Sequence, residues 1–144
     1  MLDSPILTNS QLKKFKRFFS KKTKEIDCTF DISSSLKDRI EQIREEAETS
    51  VREGSTCLIL SDKNISNKKA SIPSILTVGA VHSHLVKLGL RGYCSLNVEC
   101  ADALDTHSFA ILIGVGATTV NPYLAIDSIY QRFEKKLFLS LIHI

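Results

Sequence analysis

A pair of glycines is the first feature of this sequence that could hold a ligand. Gly114 and Gly116 stand in the stretch ILIGVGATTVNPYLA. Glycine-rich loops bind phosphate when they follow a strand and open a helix, because the helix N-terminus then faces the anion. Here a helix-like run precedes the glycines and the strand-like ATTV follows them, and the third glycine of a dinucleotide loop is replaced by Thr119. We predict that Gly114 ends a helix and that Gly116 lets the chain turn into a strand.

Polar residues follow three predicted strands and are the candidates for acid–base chemistry. They are Ser61, Asp62, Glu99, Asn121 and Tyr123. Ligands of parallel α/β folds bind at the carboxyl ends of the strands, so these side chains should share one edge of the sheet, called the rim below. Asp62 and Glu99 could act there as a general acid and base. The favoured alternative is that they cap the following helices or pair with Lys63 and Arg91.

The histidines lack the spacing of a metal site. His82 and His84 are two residues apart on a predicted helix and therefore point to different sides, whereas His107 lies on the next predicted helix and could approach one of them. A zinc site needs three or four ligands at defined spacing. We expect packed or hydrogen-bonded histidines and no metal.

The serines and cysteines do not form a recognisable nucleophile either. Ser61 and Ser83 lie outside any Gly-x-Ser-x-Gly motif, and the carboxylate of Glu99 beside Cys100 would raise the pKa of that thiol. The sequence therefore assigns no catalytic, cofactor-binding or metal-binding residue. The five polar residues of the rim remain the only candidates for a site.

The elements that would position these residues alternate along the chain. Residues 26–32 alternate between apolar and polar, which predicts a half-buried strand. Apolar residues then recur every three or four positions from Leu36 to Val51, and Gly54 is placed to end that helix. The remaining strands are predicted in TCLIL, YCSLNVE and ATTV, with helices between them, one capped by Asp102, and a last helix after Asn121. The order predicts an α/β fold with a mainly parallel sheet and βα repeats.

Composition limits the classes of protein to which the chain can belong. It has 144 residues, 43% of them hydrophobic and 24% charged, with a net charge of +3, which is typical of one globular domain or part of one. Its four cysteines form no Cys-x-x-Cys pair and are predicted to be buried free thiols in a reducing compartment. No signal peptide or membrane span is predicted. The terminal LSLIHI, residues 139–144, follows a helix without turn chemistry and is interpreted as a possible non-native tail.

Basic residues crowd the segment from Lys13 to Lys24. Such an arm could bind nucleic acid or an acidic partner. No aromatic stacking platform, zinc finger or helix-turn-helix signal accompanies it, so a solvated helix face is favoured.

Three blocks, GSTCLILSDK, IPSILTVGAVHSHLVKLGLR and THSFAILIGVGATTVNPYLA, resemble the central domain of the glutamate synthase large subunit. The resemblance runs from Ser4 to Ala125, and the opening SPILTN is similar to the start of that domain. The departures are Lys63 for the usual arginine, Ser83 and Ser108 for histidines, Val115 for an aromatic residue, and Thr118 and Thr119 for an acidic or small pair.

The resemblance implies a rudimentary and here incomplete (β/α)-barrel-like domain, residues 1–138, with no cofactor of its own. In the parent enzyme, which makes glutamate from glutamine and 2-oxoglutarate, a glutaminase domain releases ammonia and an FMN-binding barrel with an iron–sulfur cluster reduces 2-iminoglutarate. The central domain joins these two domains and helps to wall the ammonia route. The electron donor would be ferredoxin or an NAD(P)H-oxidising subunit, and the location the cytoplasm or the plastid stroma.

The sequence thus predicts a non-catalytic fragment of glutamate synthase that contacts neither nucleic acid nor membrane. Two alternatives remain open from the residues alone. One is an independent small α/β enzyme or binding module that uses the rim, and the other is a nucleic-acid-binding module that uses the basic arm.

Overall fold

A parallel β-sheet with helical connections forms the centre of the molecule, and the computed structural model describes residues 4–137. The strands are β1 (Thr23–Asp27), β2 (Thr29–Asp31), β3 (Cys57–Ser61), β4 (Lys69–Ser71), β5 (Ser95–Cys100) and β6 (Thr119–Pro122). The helices are α1 (Asn9–Phe18), α2 (Leu36–Arg52), α3 (Ser74–Lys87), α4 (Thr106–Val115) and α5 (Tyr123–Glu134). The main sheet has the order β1-β3-β5-β6, with every neighbouring pair parallel. The predicted α/β class with βα repeats is confirmed, and the described strands do not close into a barrel.

The two faces of the main sheet differ in chemistry. Side chains alternate along a strand, so Leu60, Val98 and Val120, which are partners in register, share one face. That face belongs to the apolar core, where α3 packs between α2 and α4. The other face carries buried polar side chains, among them Asn97 and Thr119, which are joined by a 2.8 Å hydrogen bond. This polar face ends at the rim.

The N-terminal segment covers the outer edge of β6. The Leu7 N–H donates to the Val120 carbonyl at 2.8 Å, and the Val120 N–H donates to the Pro5 carbonyl at 2.9 Å. The segment lies parallel to β6 through a bridge between Ile6 and Val120. It then leads into α1, which begins after a capping box in which Thr8 and Gln11 bond to each other's backbone N–H groups. The start of the chain is thereby placed beside the rim.

The single strand predicted at residues 26–32 is wrong, because the chain bends at Cys28. The carboxylate of Asp27 accepts bonds from the Thr29 backbone N–H at 3.0 Å and from its hydroxyl at 2.7 Å. Such an Asx-type turn breaks the ladder. The second half becomes β2, which pairs antiparallel with β4 in a separate two-stranded sheet and leaves Ile32 64% exposed. The sequence gave no signal for β4, since Lys69–Ser71 carries no apolar alternation.

Two predicted helix ends also need correction. Helix α4 is capped by Asp105 and not by Asp102. The Asp102 carboxylate instead accepts bonds from the backbone N–H of Ser74 at 2.9 Å and from its hydroxyl at 2.7 Å, so it caps α3 from across the rim. Gly114 lies inside α4, and Gly116, with φ of 123°, is the residue that ends the helix and turns the chain towards β6.

Candidate functional site

The rim lies at the carboxyl ends of the parallel strands, as the strand order predicted. Ser61 of β3 is in register with Glu99 of β5, and Glu99 is in register with Asn121 of β6. Tyr123 opens α5 immediately after β6, and Asp62 follows β3. The structure therefore brings all five predicted residues to one edge of the sheet. Whether they form a functional site is a separate question that their contacts address.

Glu99 is tied to three different parts of the chain. Its side chain is only 2% exposed and accepts bonds from the Ser61 hydroxyl at 2.9 Å, the Lys16 ammonium at 3.0 Å and the Lys63 ammonium at 2.6 Å. Burial alone would raise the pKa of Glu99, but the bonds from Lys63 and Lys16 outweigh it and hold the pKa below the usual value. The carboxylate is a charged anchor between α1, β3 and the loop that follows β3.

Sequence reasoning missed Lys16, which it placed on a solvated helix face. Lys16 also pairs with Glu25 at 2.8 Å, so one ammonium links α1 to two strands. The only signal available in the sequence was its position four residues after the buried Leu12, which puts both side chains on the same side of α1. The predicted partnership of Glu99 or Asp62 with Arg91 is wrong, whereas that of Glu99 with Lys63 is confirmed.

Asp62 has a different environment. It is 4% exposed, and one carboxylate oxygen accepts bonds from the Ala101 backbone N–H at 2.9 Å and the Ser71 hydroxyl at 3.4 Å. The other oxygen, Oδ1, has no hydrogen-bond partner of good geometry. Burial raises the pKa of Asp62. Burial and the neighbouring Asp62 carboxylate in turn raise the pKa of Tyr123, so the phenol lies close enough to feel that charge.

The two rim carboxylates do not converge. The Glu99 carboxylate shares the polar face with Ser61, whereas Asp62, one residue further along, turns towards the helix-covered face. Both residues border an enclosed space of about 10 Å³, which is the size of a single water molecule. An acid–base pair needs a substrate between its two groups, and this space does not admit one.

Asn121 and Tyr123 attach neighbouring segments to the rim. The Asn121 side-chain amide donates to the Leu7 carbonyl at 2.8 Å and to the Asn9 side-chain oxygen at 3.0 Å, which fixes the start of α1. The Lys63 ammonium lies 5.0 Å from the centroid of the Tyr123 ring, a cation–π distance. These contacts use the predicted site residues as structural ties.

A cavity of about 410 Å³ opens between α1 and the rim, and we call it the rim cavity. Its lining consists of Asn9, Leu12, Lys13, Lys16, Lys63, Glu99, Tyr123 and Asp127. Three ammonium groups and two carboxylates thus face the same space. A positive charge is left over.

The opposite end of the sheet contains the histidines and the glycine turn. The Arg91 guanidinium donates to His82 Nδ1 at 3.2 Å and to the Gly116 carbonyl at 2.8 Å, while His84 bonds to Glu48 at 2.9 Å. The prediction that the two histidines face different sides is confirmed. Within residues 4–137 no group of three or more histidine, cysteine or acidic side chains could hold a metal ion. The four cysteines are buried free thiols, as predicted.

Comparison with known families agrees with the blocks quoted from the sequence. Residues 1–142 match the family described as glutamate synthase central domain. The chain therefore belongs to the glutamate synthase central domain family, and the predicted family membership is confirmed.

Individual relatives are large glutamate synthases. The chain is 46% identical over 143 residues to the glutamate synthase [NADPH] large chain of Azospirillum brasilense, a match that covers 97% of this chain and 9% of that protein. It is 38% identical over 137 residues to the chloroplastic ferredoxin-dependent glutamate synthase of Spinacia oleracea, covering 91% of this chain and 8% of that protein. It is also 38% identical over 138 residues to the glutamate synthase [NADPH] large chain of Bacillus subtilis, covering 93% and 9%. The chain thus spans about a tenth of the length of these relatives.

Two expectations fall partly or wholly outside the structure. The possible non-native tail at residues 139–144 lies beyond the described residues and stays a prediction. Among the described residues, no helix is both long enough and apolar enough to cross a membrane.

Proposed function

We propose that this chain is a non-catalytic part of a glutamate synthase, in which it joins the glutaminase and FMN-binding domains and helps to wall the ammonia route. The observation that carries the proposal is the match of the family to residues 1–142, nearly the whole chain. The parent protein would form glutamate from glutamine and 2-oxoglutarate. Relatives named for NADPH and for ferredoxin both resemble the chain, so either donor suits the parent, in the cytoplasm or the plastid stroma.

The contacts at the rim support a structural role. Glu99 is held by α1, β3 and the following loop, and Asn121 holds the start of α1. Every one of these bonds joins two segments of the same chain. A residue used in this way fixes the shape of a wall, and a wall that excludes water keeps a released intermediate near the next reaction centre.

The residues of this chain do not fit FMN or an iron–sulfur cluster, which the parent would hold elsewhere. A cluster needs accessible thiolates, whereas the four cysteines are buried apart from one another in the sequence and burial raises the pKa of each thiol. The glycine pair cannot hold the flavin phosphate, because Gly116 packs directly against the His82 ring. Purifying the chain and recording its absorbance spectrum tests this point: bound flavin would contradict the proposal.

The wall function can be tested in the full-length protein that contains this chain. Glu99→Gln should loosen α1 from the rim, so the ratio of glutamate formed to glutamine hydrolysed should fall. Synthesis from added ammonia should stay within about twofold of the original, because the chemical step lies in another domain. Glu45→Gln, an exposed carboxylate on α2, is the matched control and should leave both quantities unchanged.

The independent enzyme remains a second candidate because Asp62 and Glu99, both buried, have pKa values displaced in opposite directions. That divergence is typical of acid–base pairs. A loss of ammonia-dependent synthesis in a folded Glu99→Gln protein would favour this candidate and contradict the structural role.

A further inference from the structure

We infer that the rim cavity is a binding site for a small oxyanion, a carboxylate or a phosphate group, held by Lys13 and Lys63 next to the start of α5. This inference is independent of the proposed wall function. It concerns a ligand of this chain, at a place that the glycine pair does not reach.

The first argument is the balance of charge. Lys13, Lys16 and Lys63 line the cavity together with the carboxylates of Glu99 and Asp127. Both oxygens of Glu99 are occupied, Oε1 by Lys63 and Oε2 by Lys16, so two ammonium groups share one carboxylate. Three positive and two negative groups leave an excess of one positive charge in the lining.

The second argument is which groups are already engaged. Asp127 accepts a bond from the Asn9 side-chain amide at 2.8 Å, so its carboxylate is partly satisfied. Lys13 makes no ion pair within the described part of the chain and lies on the cavity side of α1. A ligand with an anionic oxygen would give this ammonium the partner that it lacks.

The third argument is the polarity of the adjoining helix. Helix α5 begins with Tyr123 in the cavity wall, and Pro122 before it provides no side-chain cap. The first turn of α5 contains no acidic residue. The free backbone N–H groups of that turn add a partial positive charge on the same side as Lys63.

The size of the space is consistent with a small ligand. A volume of about 410 Å³ lies at the lower end of the range for small-molecule pockets. The carboxyl edge of a parallel sheet is where α/β folds place their ligands. The position, the charge and the volume thus agree on one class of ligand.

Anion titration of the full 144-residue chain tests the inference, with inorganic phosphate and succinate as the probes and chloride at matched ionic strength as the control. We expect saturable binding of phosphate or succinate, measured by calorimetry and by the shift in melting temperature. Lys13→Gln should weaken it about tenfold, as expected for a charge-assisted bond. Lys14→Gln, the neighbouring exposed lysine outside the lining, should leave it unchanged. Binding of one probe alone supports the site and identifies its class.

Glu99→Gln provides a readout of opposite sign. It removes a competing carboxylate and frees two lysines, so binding should become tighter, whereas a damaged site would bind more weakly. If this variant does not fold, the comparison of Lys13→Gln with Lys14→Gln decides alone. An equal effect of chloride, an equal loss in Lys14→Gln, no saturable binding, or unchanged or weaker binding in folded Glu99→Gln would each overturn the inference.

Discussion

At the scale of single residues, ionisation on the rim is decided by which face of the sheet a side chain takes. Glu99 and Asp62 are both buried and lie at neighbouring strand ends. Glu99 meets two ammonium groups and its pKa falls, whereas Asp62 meets one backbone N–H, a hydroxyl and apolar walls, and its pKa rises. Two carboxylates that look equivalent in the sequence therefore contribute to stability with opposite dependence on pH.

Asp62→Asn should stabilise the chain at neutral pH. Because burial raises the pKa of Asp62, the folded state holds the proton more tightly than the unfolded state, and ionisation costs stability as pH rises through that interval. The amide cannot ionise and keeps an acceptor for the Ala101 N–H. We expect a gain on the order of 1 kcal/mol at about pH 7 that shrinks towards about pH 4, measured by urea unfolding.

Asp105→Asn is the contrasting control for that measurement. Bonds from the Ser108 hydroxyl and backbone N–H hold the pKa of Asp105 below its usual value, so removing this charge should lower stability at neutral pH. A clear loss of stability in Asp62→Asn at neutral pH would contradict the assignment, since it would mean that the ionised form of Asp62 is the one that the fold needs.

At the scale of elements, the boundary between α4 and β6 shows that two glycines in one motif have different roles. Gly116 adopts a φ of 123°, which other residues rarely adopt, and a methyl group there would enter the His82 ring. Gly114 lies within α4 and has open space around its α-carbon. The turn therefore depends on the second glycine alone.

Gly116→Ala should lower the free energy of unfolding by at least about 2 kcal/mol, because backbone strain and the displaced His82 ring add together. Gly114→Ala should instead raise it by about 0.5–1 kcal/mol, since alanine favours a helix interior. Denaturant unfolding of the two single variants measures both effects. Equal destabilisation by the two substitutions would contradict this account of the turn.

At the scale of the whole molecule, α5 is distinguished by an apolar stripe that faces solvent. Ile129, Tyr130 and Phe133 are 58%, 62% and 72% exposed, and they recur at the spacing of one helix face. Helix α5 contains no fully buried residue. Contiguous exposed apolar surface of this kind usually contacts another protein surface.

We therefore expect the isolated chain to self-associate. Introducing lysine at positions 129 and 133 together, Ile129→Lys and Phe133→Lys, should shift it towards a monomer by placing charge in the stripe. Gln131→Lys adds the same kind of charge on the other side of α5 and should have little effect. Light scattering coupled to size-exclusion chromatography measures the distribution, and a sharply melting monomer of the original chain would contradict the expectation.

The sequence alone was sufficient for features that depend on near neighbours. Apolar periodicity identified the α/β class and the strand order followed from it, the caps at Thr8 and Ser35 followed from local hydrogen bonding, and the family followed from contiguous blocks. The rim residues were placed together because parallel strands end at the same edge.

Tertiary structure decided every feature that depends on contacts between distant segments. Lys16 reaches Glu99 across 83 positions, Asn121 holds Leu7 across 114, and Asp102 caps α3 instead of the helix that follows it. The bend at Cys28 and the strand β4 arise because Asp27 and a polar segment find partners in space that their own sequence does not encode. Periodicity reports which face of an element is buried, whereas the partner of a polar group is set by the packing that brings distant elements together.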